Sequence, residues 1–169
     1  MKLIKGLFTI LSWAVYAFIA CYLLIAAPML AGYHPVVVLS GSMEPTFHVG
    51  SVIYYKEAEF ADINVGDAIT LRAAPHGMVT HRVTEKSELS QTFTTKGDAN
   101  LSEDPNPVEY SDVLGKVWKI NIPYAGYFVN YSKNITTIAV MAAIIIINIV
   151  LDMIFPDKEK KKKEPSAQE

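Results

Sequence analysis

The sequence is poor in cysteine, and this excludes two ways of stabilising a small domain. The only cysteine is Cys21, which lies inside an apolar N-terminal segment. A disulfide needs two cysteines, and a cysteine-based metal site needs several held close together. The chain can therefore build neither a disulfide framework nor such a metal site, and cysteine usage does not indicate the redox compartment.

The sequence also lacks a surplus of charge of either sign. It has 15 lysines and arginines against 17 aspartates and glutamates, for a formal net charge of -2. Nothing in this balance indicates a nucleic-acid-binding protein. The one strongly basic run, Lys158–Lys163, lies near the C-terminus. We interpret it as a signal for orientation in a membrane.

Two long stretches contain almost no charged residues. No charge occurs from Leu7 to Ala31, and the first one after Ile135 is Asp152. A helix needs about 20 apolar residues to cross the hydrocarbon core of a membrane. The pattern predicts transmembrane helices over residues 7–31 and 135–155. A cleavable signal peptide is the alternative for the first stretch, but its apolar region is typically only ~7–15 residues long.

Lysines flank both predicted spans on their outer sides and so predict the orientation. Lys2 and Lys5 precede the first span, and the lysine-rich tail follows Pro156. Positively charged flanks favour the cytoplasm, so residues 1–6 and the tail 156–169 are expected there. Residues 33–133 then form one domain outside the cytoplasm, and the chain is expected in the cell membrane.

Two polar residues interrupt the second apolar stretch. Asn148 and Asp152 are four residues apart and share one face of a helix. This face could meet the first helix or a partner subunit. Alternatively, Asp152 lies near the cytoplasmic end and reaches the lipid headgroups.

The region between the spans has the pattern of a mainly β domain. Short runs rich in β-branched and aromatic residues alternate with glycine, proline, aspartate and asparagine, which favour turns. The predicted strands are Ser51–Lys56, Asp67–Arg72, Val79–Glu85, Gln91–Lys96 and Val113–Ile122. Val65 and Gly66 read as a turn that leads into the second of these strands.

A serine loop, a strand histidine and two loop aspartates are the candidates for chemistry. Gly41 and Pro45 flank Ser42, and we expect the glycine to free the backbone so that the serine hydroxyl is exposed. Serine is a weak nucleophile that needs a base within hydrogen-bond reach, and a third group usually orients that base. Taken alone, a serine in such a loop is more often simply solvated.

His81 is the preferred base because it lies in a predicted strand, a rigid element, and the same run offers no lysine. The other histidines are His34, His48 and His76. Asp98 and Asp104, both in one loop, are the candidate carboxylates. Structural roles are the alternative for all three groups: a core histidine, an aspartate that caps a turn and a solvated aspartate before proline.

The combined set resembles the type I signal peptidases, and specifically their ER-type branch, which uses histidine where the bacterial-type branch uses lysine. Members of this branch occur in Gram-positive bacteria and archaea and as the catalytic subunit of the eukaryotic signal peptidase complex. The blocks that carry the resemblance are Ser40–Thr46, Gly66–Asp67, His81–Val83, Lys96–Asn100 and Asp104.

The resemblance implies a role for each matching residue. Ser42 would be the nucleophile and His81 the general base, with Asp104 or Asp98 orienting the imidazole. By resemblance to the eukaryotic subunits, Asp104 is the preferred triad member and Asp98 its neighbour. The backbone N–H of Ser42 and the hydroxyl of Ser40 would form the oxyanion hole.

The resemblance also implies a function. The expected activity is the removal of signal peptides from secretory pre-proteins, with small residues one and three positions before the cut, and without metal or organic cofactor. Partners would be the pre-proteins, the lipid bilayer and, in some systems, subunits of a secretion complex. Two alternatives stay open: a non-catalytic, membrane-anchored accessory or binding subunit, and a metal site formed by His81, Asp98 and Asp104.

Overall fold

A computed structural model describes residues 2–73 and 77–156. His76 and most of the predicted lysine-rich tail lie outside the described residues. The chain forms two compact units: residues 24–130 make up one, and the segments that end at Leu23 and begin at Tyr131 make up the other.

The unit that contains both chain ends is helical. Helix α1 spans Lys2–Ala26 and helix α3 spans Ile135–Ile154. Both are long and apolar enough to cross a membrane, over Leu3–Ala31 and Ile135–Ile154. The first therefore begins nearer the N-terminus than the predicted span 7–31. Asn134 caps α3 by accepting a hydrogen bond from the Thr136 N–H, 2.8 Å long, which satisfies one free donor of the first turn.

The polar residues of α3 contact α1 inside this unit. Lys5 Nζ lies 3.1 Å from Asp152 Oδ1, and the Thr9 hydroxyl donates to Asn148 Oδ1 at 3.4 Å. Thr9 lies one turn after Lys5, just as Asp152 lies one turn after Asn148. Of the alternatives for this polar face, the structure therefore has the one in which it meets the first helix.

The second unit is built on a seven-stranded antiparallel sheet with the order β1-β2-β7-β3-β4-β5-β6. This confirms the prediction of a mainly β domain with apolar helices at the two ends. The strands are β1 (His34–Val37), β2 (Val52–Lys56), β3 (Ala68–Ala73), β4 (Gly77–Ser87), β5 (Thr92–Lys96), β6 (Val108–Glu109) and β7 (Val113–Ile122).

All five predicted strands are present, with ends within two residues of the predicted ones. The sequence pattern missed β1, β6 and helix α2 (Ala125–Ser132). β1 is short and contains Pro35, which cannot donate to a ladder and is typical of edge strands. β6 has two residues and α2 has eight, too few for a periodic pattern to be recognised.

Strand β2 divides its side chains between two hydrophobic clusters because alternate residues point to opposite faces. Val52 and Tyr54 pack with Ala125 of α2 and with Ile25 at the end of α1. Ile53 points the other way and packs with Met43, which lies in the candidate serine loop, and with Phe47, which directly follows it. This second cluster gives that loop a fixed place on the sheet.

Candidate functional site

The serine loop is a short 3₁₀ turn held by buried side chains. The turn covers Gly41–Met43, with Ser42 in its centre. Met43 and Phe47 are 2% and 4% exposed, and the Phe47 N–H donates to the Met43 carbonyl at 2.9 Å. Burial of these two apolar side chains, one within the turn and one just after it, fixes the turn and with it the half-buried Ser42.

Gly41 does not use a backbone conformation that only glycine can adopt. Its φ is not positive, and an added Cβ would make only ordinary contacts, the nearest with the Glu44 side chain at 3.8 Å. The prediction that glycine frees the backbone here was therefore wrong as a local argument. The turn itself, closed by a 3.0 Å hydrogen bond from the Glu44 N–H to the Gly41 carbonyl, is compatible with other residues.

The aspartate loop contacts the serine turn through its backbone. The Ala99 N–H donates to the Ser42 carbonyl at 2.9 Å. Gly97 lies so close that a Cβ on it would be 2.6 Å from the Ser42 carbonyl oxygen. Such an approach is open only to glycine, because real Cβ atoms do not come this near to a carbonyl oxygen. The glycine of the Lys96–Asn100 block is thus needed for close packing.

The same aspartate loop also brings Asp104 into contact with His81. His81 lies on β4 and is 8% exposed. Its Nδ1 lies 2.6 Å from Asp104 Oδ2, and the Thr95 hydroxyl donates to the same oxygen at 2.6 Å. The Asp104 N–H in turn donates to the Thr95 carbonyl at 2.8 Å. The imidazole therefore has a carboxylate partner at one nitrogen, which leaves Nε2 for another group.

Asp98 has a different set of partners. It accepts two hydrogen bonds from Arg82, from Nε at 2.7 Å and from a terminal nitrogen at 2.6 Å, and one from the Thr46 hydroxyl at 2.6 Å. The other terminal nitrogen of Arg82 donates to the Gly66 carbonyl at 2.7 Å. This is the two-pronged geometry that guanidinium and carboxylate groups favour.

The pKa values of the pair follow from this contact. The hydrogen bond from Arg82 holds the pKa of Asp98 below its ordinary value, against the opposing effect of burial. The hydrogen bond to Asp98 raises the pKa of Arg82 in the same way. Both groups are therefore charged across the neutral range.

Of the two candidate aspartates, the structure brings Asp104 and not Asp98 to His81. Ser42 lies in the 3₁₀ turn that contacts β4, the strand of His81. Ser40 precedes this turn with extended backbone and an exposed side chain that does not cap it. All the predicted site residues thus belong to one region of the β domain.

The other described histidines have different surroundings. His34 stacks on Tyr55 with ring centroids 5.1 Å apart. His48 Nδ1 lies 3.7 Å from Glu44 Oε1, and both side chains are exposed. In residues 2–73 and 77–156, no group of three or more histidine, cysteine, aspartate or glutamate side chains is arranged to hold a metal ion. The metal alternative for His81, Asp98 and Asp104 therefore lacks support within that part.

Three side chains of the network were not among the predicted site residues. Arg82 and Thr46 lie within sequence blocks that had been singled out, next to His81 and four residues after Ser42. Thr95 carries no such signal, because a threonine in a strand is common. Only the fold of the loop after β5, in which the Asp104 N–H donates to the Thr95 carbonyl, brings the Thr95 hydroxyl to Asp104.

Comparison with named proteins identifies relatives of the chain. It is 36% identical over 99 residues to signal peptidase I W of Bacillus subtilis, which covers 57% of this chain and 52% of that protein. It is 34% identical over 102 residues to the signal peptidase complex catalytic subunit SEC11C of Homo sapiens, covering 54% and 53% respectively. The chain spans about half the length of these curated relatives. No protein-family model matches it.

Proposed function

We propose that this chain, which is related to the type I signal peptidases, is a membrane-bound serine endopeptidase that removes N-terminal signal peptides from secretory pre-proteins. The observation that carries the proposal is the 2.6 Å contact between His81 Nδ1 and Asp104 Oδ2. A histidine oriented by a carboxylate, on the strand that the serine turn contacts, supplies the base and the orienting group that nucleophilic catalysis by serine requires.

In the proposed mechanism, Ser42 Oγ attacks the scissile carbonyl carbon and His81 Nε2 takes the serine proton. The imidazolium then gives this proton to the leaving amine, which departs as the peptide bond breaks and an acyl-enzyme forms. Water, deprotonated by His81, hydrolyses the ester and releases Ser42. Asp104 accepts a hydrogen bond from Nδ1 throughout and stabilises the positive imidazolium.

The negative oxygen of each tetrahedral intermediate needs donors aimed at it. We assign this part to the backbone N–H of Ser42 and the hydroxyl of Ser40. The exposed Ser40 side chain, which is not used to cap the turn, leaves its hydroxyl available for this purpose. Loss of one such donor typically lowers kcat by about 10²–10³-fold.

The substrate is proposed to bind as an extended strand. Among the described residues, β1 (His34–Val37) pairs only with β2 and so forms one edge of the sheet. It ends three residues before Ser40, so a peptide that added to this edge would run towards the serine turn. Alternate side chains would then point to the enzyme, and small residues are expected one and three positions before the cut.

The membrane is part of the proposed function. Two apolar helices would keep the enzyme and its pre-proteins at one surface, which raises their effective concentration and sets the height of the cleavage site. The lysine-flanked ends support a topology with both termini in the cytoplasm and the β domain outside it. Subunits of a secretion complex remain proposed partners of this chain.

The test is cleavage of a model pre-protein with an Ala-x-Ala site by the full chain in detergent micelles or vesicles. We expect wild type to cut at this site and Ser42→Ala to be inactive while keeping the same thermal midpoint. Ser40→Ala should retain about 10⁻²–10⁻³ of the activity. A folded wild-type chain that cut no pre-protein would instead favour the accessory subunit, and equal cleavage by Ser42→Ala would exclude Ser42 as the nucleophile.

A further inference from the structure

The carboxylate of Asp104 uses one oxygen for two contacts. Oδ2 lies 2.6 Å from His81 Nδ1 and accepts the Thr95 hydroxyl at 2.6 Å. Two partners at a single oxygen fix the direction of the carboxylate plane more tightly than His81 alone would. The orientation of the imidazole therefore depends on a third residue.

Among the described residues, the Asp104 side chain has no hydrogen-bond partner besides His81 and Thr95. It lies in the loop after β5, outside any helix or strand, and 24% of its side chain is exposed. Water could compete for such a carboxylate if nothing held it towards the protein. His81, on the middle of β4, is the more rigid member of the pair because a sheet strand fixes its backbone.

Thr95 supplies the missing constraint at two points. Its side chain is 0% exposed, and its backbone carbonyl accepts the Asp104 N–H at 2.8 Å, while its hydroxyl binds the carboxylate. A β-branched side chain within a strand has few rotamers available. The hydroxyl is thus held in place before any substrate binds.

We infer that Thr95 is a positioning residue of the proposed peptidase: its buried hydroxyl holds the Asp104 carboxylate in the orientation that His81 needs. This inference rests on the proposed function. Thr95 does not contact the reacting atoms in the mechanism above and acts through Asp104. Its loss should slow the chemical step and leave substrate binding unchanged, because the substrate sites are proposed at the serine turn and β1.

The experiment compares Thr95→Val with Thr70→Val in the full chain, using cleavage of the model pre-protein. Valine keeps the branched shape and removes only the hydroxyl. Thr70 is a matched control, because it is also 0% exposed and its hydroxyl lies 3.0 Å from that of Thr80, not near a carboxylate. We expect Thr95→Val to lower kcat about tenfold with KM unchanged, and Thr70→Val to leave both unchanged.

A second pair of variants distinguishes loss of the hydroxyl from loss of folding. Thr95→Ser and Thr95→Ala both lack the γ-methyl group, and they differ from each other only in the hydroxyl. Thr95→Ser should recover most of the wild-type kcat, and Thr95→Ala should be about tenfold slower than Thr95→Ser. A structural role alone would change the thermal midpoint of all variants without this difference between serine and alanine.

The outcomes separate this inference from the proposed function. Cleavage by wild type and none by Ser42→Ala, with equal kcat for Thr95→Ser and Thr95→Ala, would overturn the role of Thr95 and keep the peptidase. Absence of cleavage by the folded wild type, or cleavage by Ser42→Ala, would overturn both. A selective loss of kcat in Thr95→Val and Thr95→Ala supports the inference.

Discussion

At the scale of single residues, Asp98 and Asp104 lie in one loop but contact different partners. Asp98 forms a charged pair with Arg82, whereas Asp104 faces an imidazole and a hydroxyl. A carboxylate fully engaged by a guanidinium is suited to holding two segments together. A carboxylate beside a histidine is suited to orienting it and to stabilising its positive form.

The two aspartates should therefore respond differently to conversion into asparagine. Asp104→Asn should lower kcat for pre-protein cleavage by about 10³–10⁴-fold, because the amide favours the wrong imidazole tautomer and cannot stabilise the imidazolium. Asp98→Asn should mainly lower the thermal midpoint, because Arg82 then lacks its anionic partner. Kinetics and thermal unfolding of the two variants check this, and a larger loss of kcat in Asp98→Asn would reverse the assignment.

The Arg82–Asp98 pair should also make stability depend on pH on the acid side. The pKa of Asp98 is lowered from an ordinary value of 3.8, first by the Arg82 hydrogen bond. Its stabilisation is therefore fully present above pH 3.8 and is lost as pH falls through the lower folded-state pKa.

This dependence can be measured as the difference in thermal midpoint between wild type and Asp98→Asn. The difference should be largest near neutral pH and should shrink as the pH falls below 3.8, because protonation removes the charge that asparagine also lacks. A difference that grew on acidification would contradict the direction of the shift.

At the scale of elements, one hairpin with the loop that follows it supplies most of the site. β4 carries His81 and Arg82, β5 carries Thr95, and the next loop carries Asp98 and Asp104. Ser42 lies in a turn that precedes this hairpin in the chain by more than 30 residues. Its turn is joined to this hairpin by backbone contacts, so the closeness of the two loops decides whether serine and histidine can meet.

Gly97 is the position where this closeness can be tested. Gly97→Ala would put a Cβ 2.6 Å from the Ser42 carbonyl oxygen and 2.8 Å from Asn100 Nδ2, so the two loops must separate. We expect the free energy of unfolding to fall by about 1–3 kcal/mol, together with a loss of cleavage.

The stability control is Gly77→Ala on β4, where the nearest contacts of a Cβ would be an ordinary 3.8 Å. Its thermal midpoint should stay close to that of wild type. If Gly97→Ala were as stable and active as wild type, the two loops would not need this close contact.

The polar contacts between α1 and α3 give a second prediction at this scale. Lys5 and Asp152 lie 3.1 Å apart, so Lys5→Asp and Asp152→Lys should each lower the thermal midpoint of the purified chain. Combined, they restore opposite charges, and we expect a coupling of at least ~0.5 kcal/mol. Strictly additive losses in the double variant would show that the pair does not join the helices.

At the scale of the whole molecule, aromatic residues mark where the β domain should meet the membrane surface. Tyr33 follows the apolar segment Leu3–Ala31 by two residues and stacks on Trp118 at 5.0 Å. Lys56 Nζ lies 5.3 Å from the centre of the Tyr33 ring. Tryptophan, tyrosine and lysine are the side chains that favour the interface between lipid and water.

We therefore expect Trp118, which is 37% exposed, to lie in the headgroup region. The chain has 2 tryptophans, so Trp13→Phe leaves Trp118 as the only indole fluorophore. In vesicles, lipids that carry a quencher near the headgroup should quench it more strongly than aqueous iodide does. The Trp118→Phe variant, which keeps Trp13, is the control for a deep position, and efficient iodide quenching of Trp118 would contradict the prediction.

Much of the fold could be predicted from the sequence because it depends on local patterns. Uncharged runs predict α1 and α3, and short β-branched runs predict five of the strands. The ionisable candidates were recognised by residue type together with a family resemblance. β1, β6 and α2 could not be predicted, because they are too short for a period to emerge and exist through pairing or packing with β2 and β5.

The sequence by itself determined which side chains are available as candidates for chemistry and how the apolar mass is divided between the two long helices and the sheet, since both follow from side-chain type and spacing. The resemblance favoured Asp104 over Asp98, but only the tertiary structure shows that the Asp104 carboxylate contacts His81. Both aspartates lie in one loop, and their spacing is equally compatible with either. The hydrogen bonds that bring Thr95 beside Asp104, and the guanidinium that engages Asp98, join a strand to the loop after β5, and no local sequence pattern predicts them.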